Sequence, residues 1–291
     1  MNRYSSNNFW LIILVAFLFS SCIQELDWIE GDGLENKLIV EGRLTTEQKA
    51  HYVKLSRSRG VIVEGEPIGV SGAVVSISDR EQSYALMEIE PGLYQTDSTV
   101  QGQLGKVYEL RIELDGEIYT ATDSMVEATL PRPTAIRESE LAKGFYWLEY
   151  PGNFGAEAPA KLSFQVITPA GWADDFPSEY TILERWQDRK DGHIGVDSTY
   201  YIHPYLEPPA LLAYGVIEVG IYPLGTEIHF THASLSEGHY AFIRALMSET
   251  EWKGLGPFGY NSANLPTNLS NGALGYFGVS HIKEYVQVIK E

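Results

Sequence analysis

Hydrophobic and polar residues alternate with a period of two along much of the chain. In VYELRIEL, residues 107–114, apolar side chains at every second position are separated by Glu, Arg and Glu. This alternation is typical of an antiparallel strand with one buried face. Asp115-Gly116 and the strand-like EIYTAT follow at once, which predicts a two-residue β-hairpin. Similar patterns occur at residues 37–44, 51–56, 72–78 and 93–97.

The breaks in this pattern divide the chain. The segment PRP at residues 131–133 interrupts it, because proline fixes its own φ and favours an extended conformation in the preceding residue. We therefore predict a mainly all-β protein: an Ig-like β-sandwich of the seven-strand class over residues 36–130, then a second β-rich domain over residues 134–291. Residues 168–198 lack a clear period and are interpreted as long loops or an irregular hairpin.

One segment has a helical period instead. Ser234 and Glu237 form the S-x-x-E pattern of a capping box, and apolar residues then recur at helical spacing. The pattern predicts one amphipathic helix near residues 235–249, with its apolar stripe packed against the second sheet.

The first residues have the features of a secretory signal. Residues 9–19 form an unbroken apolar run, which is too short to cross a bilayer. Cys22, the only cysteine, follows two serines, as in a bacterial lipobox. We expect residues 1–21 to be a signal peptide, Cys22 to be lipidated, and residues 22–35 to be an acidic tether at the membrane surface. An ordinary signal peptide with an incidental cysteine is the alternative.

Charge and cysteine usage exclude several classes of function. The formal net charge is −18, and removal of residues 1–21 would take only Arg3 and leave about −19. Such a charge disfavours nucleic acid and anionic lipid headgroups as partners. Lipidation of the only cysteine leaves no thiol for a disulfide, a nucleophile or a metal site.

Catalytic and metal-binding patterns are weak. His229, His232 and His239 lie near Glu227 and Glu237 in sequence, but their spacing does not force them to converge on one metal ion. The chain contains neither a G-x-S-x-G elbow nor a D-x-D-x-D-G calcium loop. We therefore predict no catalytic residues, no metal and no cofactor.

Aromatic residues are the candidates for binding. Trp172, Phe176 and Trp186 lie among acidic and turn-forming residues. Aromatic side chains are enriched at the energetic centres of interfaces and also stack on sugars, so these three are candidate contacts for a ligand or a partner. Packing in a β-sandwich core is an equally good interpretation of the two tryptophans.

The glycines of SNGALGYFGV, residues 270–279, are regularly spaced. Gly272, Gly275 and Gly278 give the pattern G-x-x-G-x-x-G. A phosphate-binding loop would need a helix after the glycines and usually a G-K-[ST] sequence. The strand-like EYVQVI follows instead, so we predict structural glycines at bulges or at close backbone approaches.

Several segments together resemble one known family. The residues LIVEGRLTTEQKAHYVKLSRS, PIGVSGAVVSISD, PGLY and NLPTNLSNGALGYFGV, with Cys22, are similar to a Bacteroidota lipoprotein family called domain of unknown function 4249. The resemblance extends over nearly the whole chain after the signal. It implies a transthyretin-like first sandwich and a lipoprotein of the outer membrane, exposed at the cell surface or facing the periplasm, beside a TonB-dependent transporter. It supplies no catalytic residues.

Two functions follow from these observations. We expect a non-enzymatic accessory binding or lid component of an outer-membrane uptake complex, anchored through Cys22 and associated with a TonB-dependent barrel. The alternative is a surface hydrolase or a lectin-like protein that acts on glycan or peptide, with its working residues between 172 and 193.

Overall fold

A computed structural model describes residues 36–58, 68–129, 136–139, 142–148, 158–170, 179–188, 194–202, 221–249 and 265–290. Cys22 and the tether lie outside these residues, as do Trp172 and Phe176. The described part of the chain consists mainly of β-strands, so the predicted all-β class is confirmed.

The strands before residue 130 are β1 (Leu38–Thr45), β2 (Tyr52–Arg57), β3 (Ile68–Gly69), β4 (Val74–Ser78), β5 (Ser83–Glu90), β6 (Leu93–Gln95), β7 (Val107–Leu114) and β8 (Glu117–Ser124). The later elements are β9 (Ile136–Glu138), β10 (Phe145–Leu148), β11 (Ala160–Ile167), β12 (Glu179–Asp188), β13 (Ile194–Ile202), β14 (Ile221–Pro223), β15 (Glu227–Ser234), α1 (Glu237–Glu249), β16 (Leu274–Ser280) and β17 (Ile282–Val288).

The first sheet has the strand order β16-β1-β2-β6-β5-β4-β7-β8, and β3 pairs with β2. The hairpin between β7 and β8 forms at the predicted dipeptide, with positive φ at both Asp115 and Gly116, as a type I′ turn requires. The alternation in β7 agrees with its burial, since Tyr108, Leu110 and Ile112 are fully buried in one core.

Strand β16 belongs to this first sheet although it lies near the end of the chain. It runs parallel to β1, and Phe277 and Val279 are fully buried in the first core. A bridge between Leu269 and Ala121 also brings the segment before β16 to β8. The structure thus differs from the predicted division at residues 131–133, which placed all of 134–291 in a second domain. Hydrophobic patterning identifies strands but does not specify which distant strand each one pairs with.

The second sheet has the order β13-β12-β11-β15-β17, and a smaller sheet has the order β14-β10-β9. After His281 the chain passes directly from β16 in the first sheet to β17 in the second. Strands β12 and β13 pair antiparallel and extend to Ile202, whereas the sequence predicts long loops or an irregular hairpin over residues 168–198. The consecutive strands β16 and β17 therefore join the two larger sheets.

The predicted helix is confirmed as α1, but its cap differs from the prediction. The Ser236 hydroxyl oxygen accepts the His239 N–H at 3.1 Å, so Ser236 is the N-cap. The Ser234 hydroxyl instead donates to the Val126 carbonyl at 2.6 Å. The capping-box prediction was wrong because Ser234 is used in a tertiary contact. No helix in the described ranges is long and apolar enough to cross a bilayer.

Candidate ligand-binding site

A cavity of about 520 Å³ lies between the two larger sheets. β1 and β16 of the first sheet form the part of its lining that we call the floor, and α1, β11 and the end of β15 contribute the rest. Strand alternation explains the floor. Val40 and Leu44 are fully buried in the first core, so Ile39, Glu41 and Arg43 face the other way, into the cavity.

Each of these outward residues has an outward neighbour on β16. The register pairs Ile39 with Leu274, Glu41 with Tyr276 and Arg43 with Gly278. Gly278 is decisive here, because a Cβ at that position would overlap the imidazole of His239 on α1. The imidazole also stacks on Tyr276, with ring centroids 5.0 Å apart and planes 8° from parallel. The third glycine of the sequence pattern thus makes room for a histidine at the cavity.

Lys161 on β11 reaches the cavity from the second sheet. Its neighbours in the sheet are Leu183 on β12 and Ala233 on β15, and both side chains are buried. Burial, and then the positive charge of Arg43, lowers the pKa of Lys161. A lysine in such apolar surroundings normally pairs with an acid.

Arg43, Lys161 and His239 make up a group that we call the basic cluster. No carboxylate among the described residues forms an ion pair with Arg43 or Lys161. Glu41 lines the same cavity but is solvent-exposed and lies opposite Lys54 on β2. Glu47 is an acidic neighbour of Arg43, whose charge acts on that carboxyl, whereas the charged neighbour of Lys161 is Arg43 itself. Lys161 therefore has no acidic counterpart among the described residues.

His239 is the uncharged member of the basic cluster. Burial lowers its pKa to about 3, and the charges of Arg43 and Lys161 contribute to this shift. The ring is therefore neutral near pH 7. Its Nδ1 is buried and has no hydrogen-bond partner in the described part of the chain. This nitrogen lies against Gly278 on β16 and is a donor or an acceptor according to the tautomer.

The other candidate histidines lie elsewhere. His229 is beside Glu227, with 3.3 Å between Nε2 and Oε2. His232 is buried on the opposite face of β15, and both of its ring nitrogens lack a hydrogen-bond partner within the described ranges. No group of three or more His, Cys, Asp or Glu side chains in those ranges is placed to hold a metal.

Comparison with known families agrees with the resemblance in the sequence. The family model described as domain of unknown function (DUF4249) matches residues 25–285. The chain belongs to the DUF4249 family. The matched region contains the first sheet, α1, the residues that line the cavity, and all of the second sheet except the last three residues of β17. No curated protein matches this DUF4249 chain.

The three aromatic residues predicted to contact a ligand or a partner are not among the described residues that line the cavity. Trp172 and Phe176 fall outside the described residues of the DUF4249 chain. Trp186 lies in β12 opposite Val196, at a register shift that follows Arg185. The prediction that these three residues contact a ligand or a partner therefore stays a prediction.

The glycine prediction concerns the turn and the strand at the end of the first sheet. Gly275 has a φ of +93°, and a Cβ there would overlap the Val40 carbonyl oxygen. This is the close backbone approach that the sequence indicated. Gly272 has a φ of +70° in the preceding turn and faces open space. Gly275 and Gly278 lie within β16, and β17 follows it, so these glycines do not precede the helix that a phosphate-binding loop requires.

Sequence reasoning missed Arg43 and Lys161. Each is a single basic residue within an otherwise strand-like run, LIVEGRLT and AKLSFQVI. That position is also typical of a solvated strand face, so the pattern alone does not indicate a site. Only the packing of α1 over two sheets encloses the two side chains.

Proposed function

We propose that this DUF4249 protein is a non-enzymatic lipoprotein of the outer membrane, anchored through Cys22 and exposed at the cell surface. In this proposal it binds a small molecule and serves a TonB-dependent transporter as an accessory or lid component. The observation that carries the binding role is the cavity. Its volume of about 520 Å³ falls in the usual range for small-molecule sites, and a few polar groups converge within apolar walls.

The chemistry of the lining favours binding over catalysis. Hydrolysis of a glycan or peptide would need an acid and a base that converge on one bond. The basic cluster instead offers two cations and a neutral ring. Such a set neutralises and orients an anion without moving a proton to or from it.

The sequence supports the anchor. Cys22 follows the apolar run of residues 9–19, and the first strand begins at Leu38. Fully extended, the chain between these two residues would span up to about 50 Å. That length would allow the sheets to stand clear of the bilayer and to reach the mouth of a neighbouring barrel.

The anchor is tested in the bacterium that encodes the protein, with a C-terminal tag. Cells grown with an alkyne-labelled fatty acid should label the wild-type protein and not the Cys22→Ser variant. The wild type should fractionate with the outer membrane and be cleaved by protease added to intact cells. An unlabelled wild type, or one that is protected from the protease until the cells are lysed, would contradict the anchor or the surface location.

The partner is tested by purification of the tagged protein from gently solubilised outer membrane. We expect a TonB-dependent barrel in stoichiometric amount, identified by mass spectrometry. Purification of the lipoprotein alone, as a monomer, would count against the accessory role. Cys22→Ser is the matched control, because loss of the anchor should reduce the amount of barrel recovered.

A further inference from the structure

We propose that the cavity binds a single-chain anionic amphiphile, such as a fatty acid. Arg43 and Lys161 hold the acidic head, and the hydrocarbon chain lies between α1 and the floor of the cavity. This inference rests on the proposed binding function and names its ligand class.

The acidic head group of the ligand is inferred from the two cations in the cavity. Two cations line one cavity, and neither has an ion-pair partner among the described residues. Lys161 is partly buried beside Arg43 without an acidic partner among the described residues, which is costly, and an anion that enters the cavity lowers that cost. The guanidinium of Arg43 can hold a carboxylate or phosphate through two parallel hydrogen bonds.

The hydrocarbon chain of the ligand is inferred from the rest of the lining. Most of the remaining wall is aliphatic or aromatic, contributed by Leu235, Phe242, Ile243, Leu246, Leu265 and Leu274. A small anion would leave these walls in contact with water, and a neutral hydrocarbon would leave the cations unpaired. A molecule with an acidic end and an apolar body satisfies both parts.

The cavity is open to a monomeric ligand. Tyr52 is 44% exposed and Leu246 is 38% exposed, and both line the cavity. A bilayer surface is a poor occupant, because the two cations line a cavity between the sheets and do not form an exposed basic patch. The amphiphile therefore enters as a single molecule.

The test uses the full chain with Cys22→Ser, recovered without detergent so that the cavity is not filled during purification. Calorimetric titration with dodecanoate below its micelle concentration should show one saturable site per chain. Dodecyl phosphate carries the same chemistry with another head and should also bind. Dodecyltrimethylammonium, with the same chain and a positive head, should bind about tenfold more weakly or worse.

Variants assign the site. Lys161→Met and Arg43→Gln should each weaken dodecanoate binding about tenfold or more, since each removes one of two charges from a shielded site. Lys290→Met and Arg111→Gln are the matched controls, because both side chains lie on the surface outside the cavity lining, and they should bind as the parent does. Circular dichroism and thermal melts of every variant show that it is folded.

Three results would overturn the proposal. Equal binding of dodecanoate and dodecyltrimethylammonium would mean simple partition into an apolar pocket. Equal binding of acetate or inorganic phosphate would mean a small-anion site. Binding to phosphatidylglycerol vesicles without binding to dodecanoate would mean a membrane surface. Since the assay needs neither anchor nor barrel, its failure is distinguishable from failure of the proposed membrane function.

Discussion

The carboxylate of Asp123 on β8 accepts a hydrogen bond from the backbone N–H of Val279 on β16, with 2.9 Å between Oδ2 and N. The other carboxylate oxygen accepts the N–H of Ser124 at 2.9 Å. Asp123 is buried, and burial raises its pKa. Since β16 leads directly into β17 of the second sheet, this contact helps to hold the last two strands where the sheets meet.

Loss of this carboxylate should destabilise the protein. In Asp123→Ala the buried N–H of Val279 loses its acceptor, which should lower the free energy of unfolding by about 2 kcal/mol. Asp123→Asn keeps one carbonyl oxygen and should cost less. Urea denaturation followed by tryptophan fluorescence measures both values. An Asp123→Ala protein as stable as the wild type would show that the contact contributes nothing.

Glycine at position 275 should be essential for folding. Gly275→Ala would place a methyl group against the Val40 carbonyl in a backbone with positive φ, so we expect a loss of about 3 kcal/mol or more. Gly272→Ala is the matched control. It has a positive φ but open space, and it should cost about 1 kcal/mol. Thermal melts that rank the two variants equally would contradict the role of backbone contact at Gly275.

Substitution of the third glycine, Gly278, should destabilise the protein through overlap with a side chain. Gly278→Ala would push the imidazole of His239 out of its position beside Tyr276. Because the overlapping atoms belong to a side chain and not to the backbone, we expect a loss of about 1–3 kcal/mol, with the fold retained. The double variant Gly278→Ala with His239→Ala should recover part of the loss, measured by urea denaturation as a double-mutant cycle. No recovery would mean that the cost has another origin.

The local pattern of the chain was sufficient for the hairpin of β7 and β8 and for α1, but not for every strand or for the assembly of the sheets. The alternation in residues 107–114 and the dipeptide Asp115-Gly116 predicted a hairpin, because both signals act between neighbours in sequence. The pairing of β16 with β1 joins segments more than 200 residues apart, and its strand is buried on both faces. No period-two signal marks such a strand, so its place in the first sheet could not be predicted.

The candidate site was hidden for the same reason. Arg43 and Lys161 belong to different sheets and are more than 100 residues apart. Each looks like an ordinary polar position on its own strand. Only the enclosure of both by α1 makes them unusual, and that enclosure depends on tertiary packing.

Lowering the pH should destabilise the protein through the buried His232. Burial, and then the charges of Lys283 and His281, lowers its pKa from 6.5 to about 4. In the unfolded chain the imidazole of His232 thus takes up a proton below pH 6.5, whereas in the folded chain it does so only near pH 4. Stability from this group is complete above pH 6.5 and falls by about 3 kcal/mol as the pH drops toward 4.

The variant His232→Leu isolates this effect. The difference in unfolding free energy between variant and wild type should grow in favour of the variant from pH 6.5 to pH 4. Taking the difference removes groups common to both proteins, including Asp123, whose raised pKa acts in the opposite direction. His229→Leu, on the same strand but more exposed, is the control and should show a smaller change. A constant difference for His232→Leu across this range would contradict the interpretation.

Lys161 should destabilise the ligand-free protein. Lys161→Met keeps most of the side-chain volume and removes a partly buried charge whose electrostatic neighbour is Arg43. We therefore expect the variant to be more stable than the wild type by about 1 kcal/mol at pH 7. Because the pKa of Lys161 is lowered, the unfolded chain binds more protons than the folded chain as the pH rises toward 10.5. The wild type should gain stability over that range, so the difference in unfolding free energy between the variant and the wild type should decrease. Urea denaturation at pH 7 and pH 9.5, with Lys290→Met as the exposed control, measures both effects. A Lys161→Met protein less stable than the wild type would mean that a partner within the chain balances this charge, and the basic cluster would then need no anionic ligand.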